Sequence, residues 1–460
     1  MAPETSAVSR IDRWFIPLIG LTLLGLVSHG TFAGSGDEPH YLAIAHSVAF
    51  DHDIDLSNNY GAREPLIGGG TLMAEAHART GAGGITRPVH DIGMPVLFAP
   101  YVRVTRPLTD WLAETVPSGA FQRAKLTPAV LYRHLISLAM IALACVLARS
   151  LRSTCDLAGV PRTPSRWAIA LICLSPPLLV FSILFFTELL SALLVTMAVT
   201  AIMLHPAPRT REGVIAGASA ALLPLVHVRN APLAACIAIM SVWVLRDQRA
   251  RSGLIACAVL VAFGAAARLL VTHAFWGTWI TTPHASLGDW PGLTSVVAEM
   301  GQRLAGLLVD REYGLLPYFP SLVLAVWGII PLVQRQPLYA KAMAAALTTY
   351  LVFVLSPVTN THGWTGGWSP PARFLVPVLP FAVVPLAFGL SRAPRGLVAL
   401  MVAAQILINA YIWQHPKLLW NDGDGRAAWC DITGEALCGL VPSLVALSNQ
   451  LTPAANSNTE

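Results

Sequence analysis

The sequence predicts an all-α polytopic membrane protein with about eleven transmembrane helices, and three observations support this fold class. The 460-residue chain is 55% hydrophobic with a mean hydropathy of +0.59, and only 12% of its residues are charged. A soluble domain usually carries about 25% charged residues. Apolar stretches recur along most of the chain, and the short gaps between them carry arginine and little acid. This pattern excludes a soluble enzyme with a single anchor.

The transmembrane segments follow from length, because a bilayer core needs about 20 helical residues. The first apolar segment is too long for the core of a cleavable signal peptide, so we expect it to remain in the protein. We place spans near 14–33, 128–148, 167–186, 188–204, 213–228, 231–246, 253–273, 314–333, 341–356, 373–391 and 396–414.

Arginine predicts the orientation of the chain. Basic residues concentrate in cytoplasmic loops, and the alternate short gaps carry them, as at Arg209 and Arg211 or Arg392 and Arg395. We therefore expect a cytoplasmic N-terminus and an extracytoplasmic C-terminus. The apolar stretch 92–102 would reverse all later loops if it spanned. With about eleven residues it is short, so we interpret it as an interfacial helix along the outer leaflet.

This topology predicts one membrane domain over residues 1–414 and an extracytoplasmic tail over 415–460. The first outer loop, 34–127, is the largest and is expected to contain juxtamembrane helices. Of the seven cysteines, only Cys430 and Cys438 lie in the tail. An oxidising compartment favours a disulfide between them.

Two acids follow the first span, in the sequence Gly36-Asp37-Glu38-Pro39-His40-Tyr41. Charge is costly near lipid, so carboxylates at this position call for an explanation. One explanation is structural: Asp37 caps a helix that opens at Pro39, and the helix dipole stabilises Glu38. The other explanation is a functional site.

Further charged residues lie at the outer ends of other spans. Glu188 stands between two hydrophobic stretches and needs a partner, water or a function. Arg229 lies at the next outer boundary, so the two side chains can pair with each other. His90 and Asp91 precede the 92–102 stretch, where a helix cap and a surface histidine are the plainer interpretation.

Two later segments combine aromatic and charged residues at the outer start of a span. The first segment, 310–317, contains Arg311, Glu312 and Tyr313. Its aromatic residue alone would suit the membrane interface, but the adjacent charges also suit a polar ligand.

The second segment, 362–374, contains His362, Trp364, Trp368 and Arg373 among several glycines. Tryptophan is common at membrane interfaces, which is the simpler interpretation. Sugar rings stack on aromatic faces, glycines allow close approach, and arginine offers planar donors to phosphate oxygens.

Taken together, these residues resemble the GT-C superfamily of integral membrane glycosyltransferases. The group of protein O-mannosyltransferases and the lipid A aminoarabinose transferase is the most similar. The likeness covers roughly residues 14–414. It rests on the acidic motif after the first span, the long outer loop with its His90-led helix, Glu188 at a span start, and the stretch from Gly366 to Phe374. The sequence from His90 to Pro95 departs from the family's His-Pro-Pro or Lys-Pro pattern.

The resemblance implies that a sugar moves from a polyprenyl-phosphate donor to a hydroxyl acceptor on the outer side, with inversion. Asp37 would be the base and Glu38 the second choice or an orienting group. Donor phosphate binding would fall to Arg373, then to Arg229 and Arg311. The residues expected to bind the sugar or acceptor are His40, Tyr41, His90, Glu188, Glu312, Tyr313, His362, Trp364 and Trp368.

The expected partners are a polyprenyl-phosphate sugar donor, a lipid, glycan or protein acceptor, and membrane lipids, with no nucleic acid. The resemblance favours the bacterial inner membrane. No spacing requires a cofactor, but Asp37, Glu38, His40 and His90 leave a divalent metal open. Three alternatives remain: a lipid or glycan transporter or flippase, a lipid-linked glycan polymerase or ligase, and a non-catalytic assembly subunit.

Overall fold

The computed structural model is mostly helical over the residues it describes. These are residues 36–61, 77–123, 126–280, 292–360, 363–366 and 369–414, with residues 20, 22, 427, 430, 434 and 438–445 outside those ranges. The elements are α1 (Glu38–His46), α2 (Ser57–Gly61), β1 (Ala78–Thr80), β2 (Thr86–Pro88), α3 (Gly93–Thr115), α4 (Ser118–Arg123), α5 (Pro128–Leu157), α6 (Arg162–Leu174), α7 (Leu178–Phe181), α8 (Thr187–Met203), α9 (Thr210–Val226), α10 (Ala231–Asp247), α11 (Arg251–Trp276), α12 (Leu293–Val309), α13 (Leu315–Tyr318), α14 (Val326–Arg335), α15 (Pro337–Leu355), α16 (Val383–Arg392) and α17 (Arg395–Gln414).

Five helices in the described residues are long and apolar enough to cross a bilayer. Three further apolar helices are shorter: Thr187–Met203, Pro320–Arg335 and Leu379–Arg392. This set indicates a multi-pass membrane protein, as the composition predicts, whereas a total of eleven spans stays a prediction. The five long segments are Pro128–Leu157, Val228–Asp247, Arg251–Trp276, Pro337–Leu355 and Arg395–Trp413.

The outer helices of the bundle present apolar side chains to their surroundings. Phe263 of α11 is 71% exposed and Leu407 of α17 is 66% exposed. An apolar exterior on long helices is what a lipid environment requires. Helices α9 and α11 pack closely through small residues, since a side chain at Gly213 or Gly264 would collide with the backbone of the opposite helix.

Three predicted spans are interrupted. The stretch 167–186 divides into α6 and α7 at Ser175-Pro176-Pro177, because proline removes a helical donor and clashes with the preceding turn. The stretch 314–333 contains α13, a 3₁₀ turn and α14, and the stretch 373–391 begins with 3₁₀ turns before α16. Prolines also occur in both of these stretches. The continuous apolar composition of each stretch gives no sign of these breaks.

The first loop contains a short antiparallel hairpin of β1 and β2, which the sequence analysis did not predict, within a fold that is otherwise helical. The register pairs Ala78 with Pro88 and Thr80 with Thr86. The turn between the strands is glycine-rich, and Gly83 adopts a φ of 74°, a conformation that suits glycine.

Helices α1 and α3 are the predicted helices of the first loop. Helix α1 begins directly after Asp37 with Pro39 in its first turn, as the capping pattern predicts, but the Asp37 side chain makes no cap hydrogen bond. Every residue of α1 is buried. Helix α3 runs to Thr115, well beyond the predicted 92–102, and its interfacial position stays a prediction.

Cys430 and Cys438 form the predicted disulfide. The span near 14–33, most of the tail 415–460, His362 and Trp368 lie outside the described residues.

Candidate functional site

Four charged side chains from four distant segments form one continuous chain of ion pairs, buried except at Asp37. Arg373 donates through Nη2 to Asp37 Oδ2 and through Nε to Glu188 Oε1, the latter at 2.6 Å. Arg229 also donates to Glu188 Oε1. The exposed fraction is 0% for Glu188, 6% for Arg373 and 8% for Arg229. Two carboxylates and two guanidinium groups balance, which is how buried charge is tolerated. We call these four residues the charge quartet.

The local structure explains how each quartet member is placed. Asp37 immediately precedes α1, and Glu188 lies in the first turn of α8, where the helix dipole favours a negative charge. Arg229 and Arg373 lie in 3₁₀ turns that precede apolar helical segments. The quartet therefore gathers the ends of several elements at one position.

Aromatic rings support both arginines. The Arg373 guanidinium lies 5.0 Å from the centre of the Phe186 ring, and Arg229 lies 5.0 Å from that of Phe374. Such contacts stabilise a desolvated cation. The Phe374 backbone is held in turn by the Tyr350 hydroxyl at 2.8 Å.

Three buried polar atoms beside the quartet have no hydrogen-bond partner in the described part of the chain. They are Tyr41 Oη, Arg229 Nε and Asn230 Oδ1. Buried polar atoms are nearly always satisfied, so each such atom needs an explanation. Donors and an acceptor left over at one position suit a polar ligand.

Histidines from α1 and the hairpin lie beside Asp37. The rings of His40 and His77 stack with centres 3.5 Å apart, and His77 Nδ1 lies 2.8 Å from His90 Nε2. His40 Nδ1 also contacts the Tyr60 hydroxyl at 2.7 Å. In the described residues, Asp37, His77 and His90 place their ligand atoms within 4.8 Å of one another, so they are the group that could hold a metal. Glu38 and His40, also considered from the sequence, are not in this group.

Asp91 anchors the segment that presents His90. Its carboxylate accepts the Val228 backbone N–H at 2.7 Å and pairs with Arg268 on α11. His90 is thereby fixed close to the turn that contains Arg229. The two residues of the predicted His90-Asp91 pair thus serve different purposes, since one faces the histidines and the other the helices.

The surroundings of Asp37 strongly favour its charged form. Burial alone would raise its pKa, but the Arg373 guanidinium and the His90 and His77 rings outweigh burial and hold the pKa well below its usual range. Burial, with His77 and His90 beside it, lowers the pKa of His40 to about 3. In this state Asp37 is an ionised carboxylate next to a neutral histidine.

Glu38, the second candidate base, points to a different environment from Asp37. Its Oε2 accepts from Arg133 Nη2 at 3.0 Å, and its Oε1 accepts the Phe185 N–H at 2.9 Å. The side chain is 2% exposed. Both carboxylate oxygens are therefore used for packing α1 against neighbouring segments, and Glu38 does not join the quartet.

The segment 310–317 lies beside residue 373 through its backbone, because Tyr313 O accepts the Ala372 N–H at 2.9 Å. Glu312 and Tyr313 are buried. Arg311 instead binds the tail, donating through Nε to Val441 O at 2.8 Å and through its backbone to Pro442 O. The structure does not bring Arg311 into the charge quartet.

Trp364 and Gly366 flank the Arg373 segment. The Trp364 indole packs directly on Gly306 of α12, where any side chain would displace it. Gly366 has a φ of 72°, and a Cβ there would lie 3.1 Å from Ser369 Oγ and 3.4 Å from Arg373 Cδ. A side chain at Gly366 would therefore crowd Ser369 and reach the Arg373 side chain.

The sequence gives little sign of His77. It stands alone in the chain, and only the hairpin brings it to His90, with Val89 N–H donating to His77 O at 3.0 Å. The glycine-rich turn between two short Thr- and Arg-containing segments was the available signal.

Comparisons with protein-family models, with curated proteins and with solved structures find no match.

Proposed function

We propose that this protein is a membrane glycosyltransferase. It would move a sugar from a polyprenyl-phosphate donor to a hydroxyl acceptor at the extracytoplasmic face, with inversion at the anomeric carbon. The observation that carries the proposal is the contact between Asp37 and Arg373, which joins an acidic motif and an arginine motif 336 residues apart. The bacterial inner membrane, with the site on the periplasmic side, is the setting we propose.

The quartet offers the two functions that this reaction needs. A carboxylate must accept the acceptor's proton as the new bond forms, and Asp37 is the ionised carboxylate nearest to solvent, with a side chain 19% exposed. The phosphate leaving group needs positive charge and oriented donors rather than a proton. Arg373 supplies the charge, and Arg229 Nε supplies a donor not used by the described residues.

Donor binding would change the basicity of Asp37. In the resting arrangement Arg373 is shared between Asp37 and Glu188. A donor phosphate competes for the same guanidinium and weakens its hold on Asp37. The pKa of Asp37 then rises toward its ordinary value, so the carboxylate becomes a better base only when the donor is present.

The bundle is suited to a lipid-linked substrate. Its long helices expose apolar side chains, while the polar groups of the quartet are held inside. The prenyl chain of the donor would lie against the apolar helices. Its headgroup would reach the atoms of Tyr41, Arg229 and Asn230 that have no partner among the described residues. The sugar would lie near Trp364, beside the Arg373 segment.

The test uses purified full-length protein with a labelled polyprenyl-phosphate sugar and candidate acceptors. We expect cleavage of the sugar–phosphate bond, seen as a new glycoside or as slow release of free sugar. In sealed vesicles, translocation of the labelled lipid without bond cleavage would contradict the proposal and favour a flippase. Products that lengthen with time would instead favour a lipid-linked glycan polymerase.

A further inference from the structure

Asp37, His77 and His90 form a cluster of metal-ligand side chains that shares Asp37 with the quartet. One ligand atom from each residue lies within 4.8 Å of those of the other two, and each residue is half-buried. His77 Nδ1 and His90 Nε2 are 2.8 Å apart. The cluster is therefore compact and can be reached from solvent.

The backbone holds these three side chains in place. His77 and His90 stand at the two open ends of the hairpin, which is closed by the Val89 N–H to His77 O hydrogen bond at 3.0 Å. The hairpin is joined to the preceding loop by Leu56 N–H donating to Thr86 O at 2.9 Å. Asp37 is set by the start of α1. The ligands therefore converge without any rearrangement of the chain.

We propose that Asp37, His77 and His90 bind one divalent transition-metal ion, with Zn²⁺ as the best match. Two imidazole nitrogens and one carboxylate oxygen are a donor set that suits zinc better than magnesium or calcium, which prefer oxygen. Three protein ligands leave a fourth position for water or a substrate oxygen. The site stands on this geometry and does not depend on the proposed transfer reaction.

The spacing needs only a small adjustment to accept the ion. Nitrogens bound to tetrahedral zinc at about 2.0–2.1 Å lie about 3.3 Å apart. The two rings are at 2.8 Å, so they would separate by about half an ångström. His40 stacks on His77 and keeps its ring plane fixed, as outer residues commonly do at metal centres.

Asp37 can serve the ion without leaving Arg373. The ion pair with Arg373 uses Oδ2, which leaves Oδ1 outside that contact. A carboxylate that binds a metal through one oxygen is commonly held by a hydrogen bond at the other. The ion would thus join the hairpin to the start of α1 and to the quartet behind it.

A simple hydrogen bond between His77 and His90 is the competing explanation, and it predicts no metal affinity. Metal-stripped full-length protein in detergent is titrated with Zn²⁺ and, separately, with Mg²⁺, by calorimetry and elemental analysis. We expect one Zn²⁺ per chain and much weaker Mg²⁺ binding. His77→Gln and His90→Gln should each weaken Zn²⁺ binding by at least about tenfold.

His52→Asn is the matched control. His52 lies in the same loop, is exposed and has a φ of 60°, a conformation that asparagine tolerates. Its Zn²⁺ affinity should equal that of the wild type. Zn²⁺ should also raise the melting temperature of the wild type and of His52→Asn by more than that of the two ligand variants, whose metal-free melting curves report their folding. Equal Zn²⁺ affinity in all four proteins, absent Zn²⁺ binding in the wild type, or Mg²⁺ binding as tight as Zn²⁺ would overturn the proposal.

Discussion

Helix α1 presents two sides with opposite chemistry. On the side facing α5, Glu38 pairs with Arg133 at 3.0 Å, and His46 Nε2 contacts the Tyr132 hydroxyl at 2.6 Å. These polar groups are buried, and both oxygens of Glu38 are bonded to protein. This side of the helix is a closed structural interface.

The other side of α1 has unsatisfied polar groups, and we call it the open side because Asp37, which precedes the helix there, is partly exposed. Asp37 pairs with Arg373 and lies beside His77 and His90. The hydroxyl of Tyr41 is buried without a partner among the described residues. The adjacent acids Glu38 and Asp37 therefore differ in role. Both carboxylate oxygens of Glu38 are bonded to protein, whereas Asp37 lies beside histidines that can bind a metal ion. This comparison gives predictions for each side.

On the closed side, Glu38→Gln should cost the most stability. The amide still accepts the Phe185 N–H, but the buried Arg133 loses its counter-charge, and breaking a buried ion pair costs about 3 kcal/mol or more. The melting temperature of the detergent-solubilised protein measures the loss. The double variant Glu38→Gln, Arg133→Met removes the charge as well and should recover much of it. A double variant no more stable than the single one would show that Glu38 is not a structural partner of Arg133.

On the open side, Arg373→Lys should reduce donor affinity by about tenfold, or about 1.4 kcal/mol. Lysine keeps the positive charge but loses the planar fork that reaches Asp37 and Glu188 together. Binding of a labelled polyprenyl-phosphate sugar to purified protein measures the change. The matched control is Arg303→Lys, since Arg303 is also buried and forms a forked ion pair, with Glu299 and not with a member of the quartet. Equal losses in the two variants would remove the phosphate role of Arg373.

A smaller effect should separate two glycines of one loop. Gly366 and Gly363 have φ values of 72° and 64°, so alanine at either position carries a similar backbone cost of about 1–2 kcal/mol. Only at Gly366 would the new methyl also crowd Ser369 Oγ, at 3.1 Å, and touch Arg373 Cδ, at 3.4 Å, because no described atom lies within 4 Å of a Cβ at Gly363. Gly366→Ala should therefore lower the transfer rate more than Gly363→Ala. Equal rates would show that Gly366 does not position Arg373.

The closed side should also show an acid dependence. Burial, followed by the nearby Arg106, lowers the pKa of His46 to about 4, whereas Asp51 opposes this shift. The unfolded chain takes up the proton near pH 6.5, so the His46 contribution to stability is complete above that pH and is lost as the pH falls toward 4. Melting temperatures between pH 7.5 and 4 should decline less in His46→Gln than in the wild type. Parallel curves would assign the decline to other groups.

The sequence predicts those parts of the site that depend on the cost of buried charge. Glu188 and Arg229 stand in apolar surroundings and needed partners, and the pairing that the sequence allows is present in the structure. The approach of the acidic motif to Arg373 also agrees with the structure, although its side of the membrane stays a prediction. These interactions could be predicted from the sequence because a charge in an apolar segment is rarely stable without a partner.

Other parts of the site and of the fold depend on long-range contacts that no local sequence pattern predicts. Glu38 appears equivalent to Asp37 in the sequence, and only the approach of α5 gives it Arg133. His77 reaches the site through the hairpin register, which its isolated position did not indicate. The interrupted spans also could not be predicted locally. Composition gives the length of an apolar stretch but not the position at which a proline breaks its helix.

The most direct test of the account is the transfer rate of Asp37→Asn. The amide is nearly the same size and can still contact Arg373, but it cannot accept the acceptor's proton. We expect transfer from a labelled polyprenyl-phosphate sugar to fall by about 10²–10⁴-fold, with the gel-filtration profile and donor binding near those of the wild type. Transfer at the wild-type rate in this variant would contradict the assignment of Asp37 as the base.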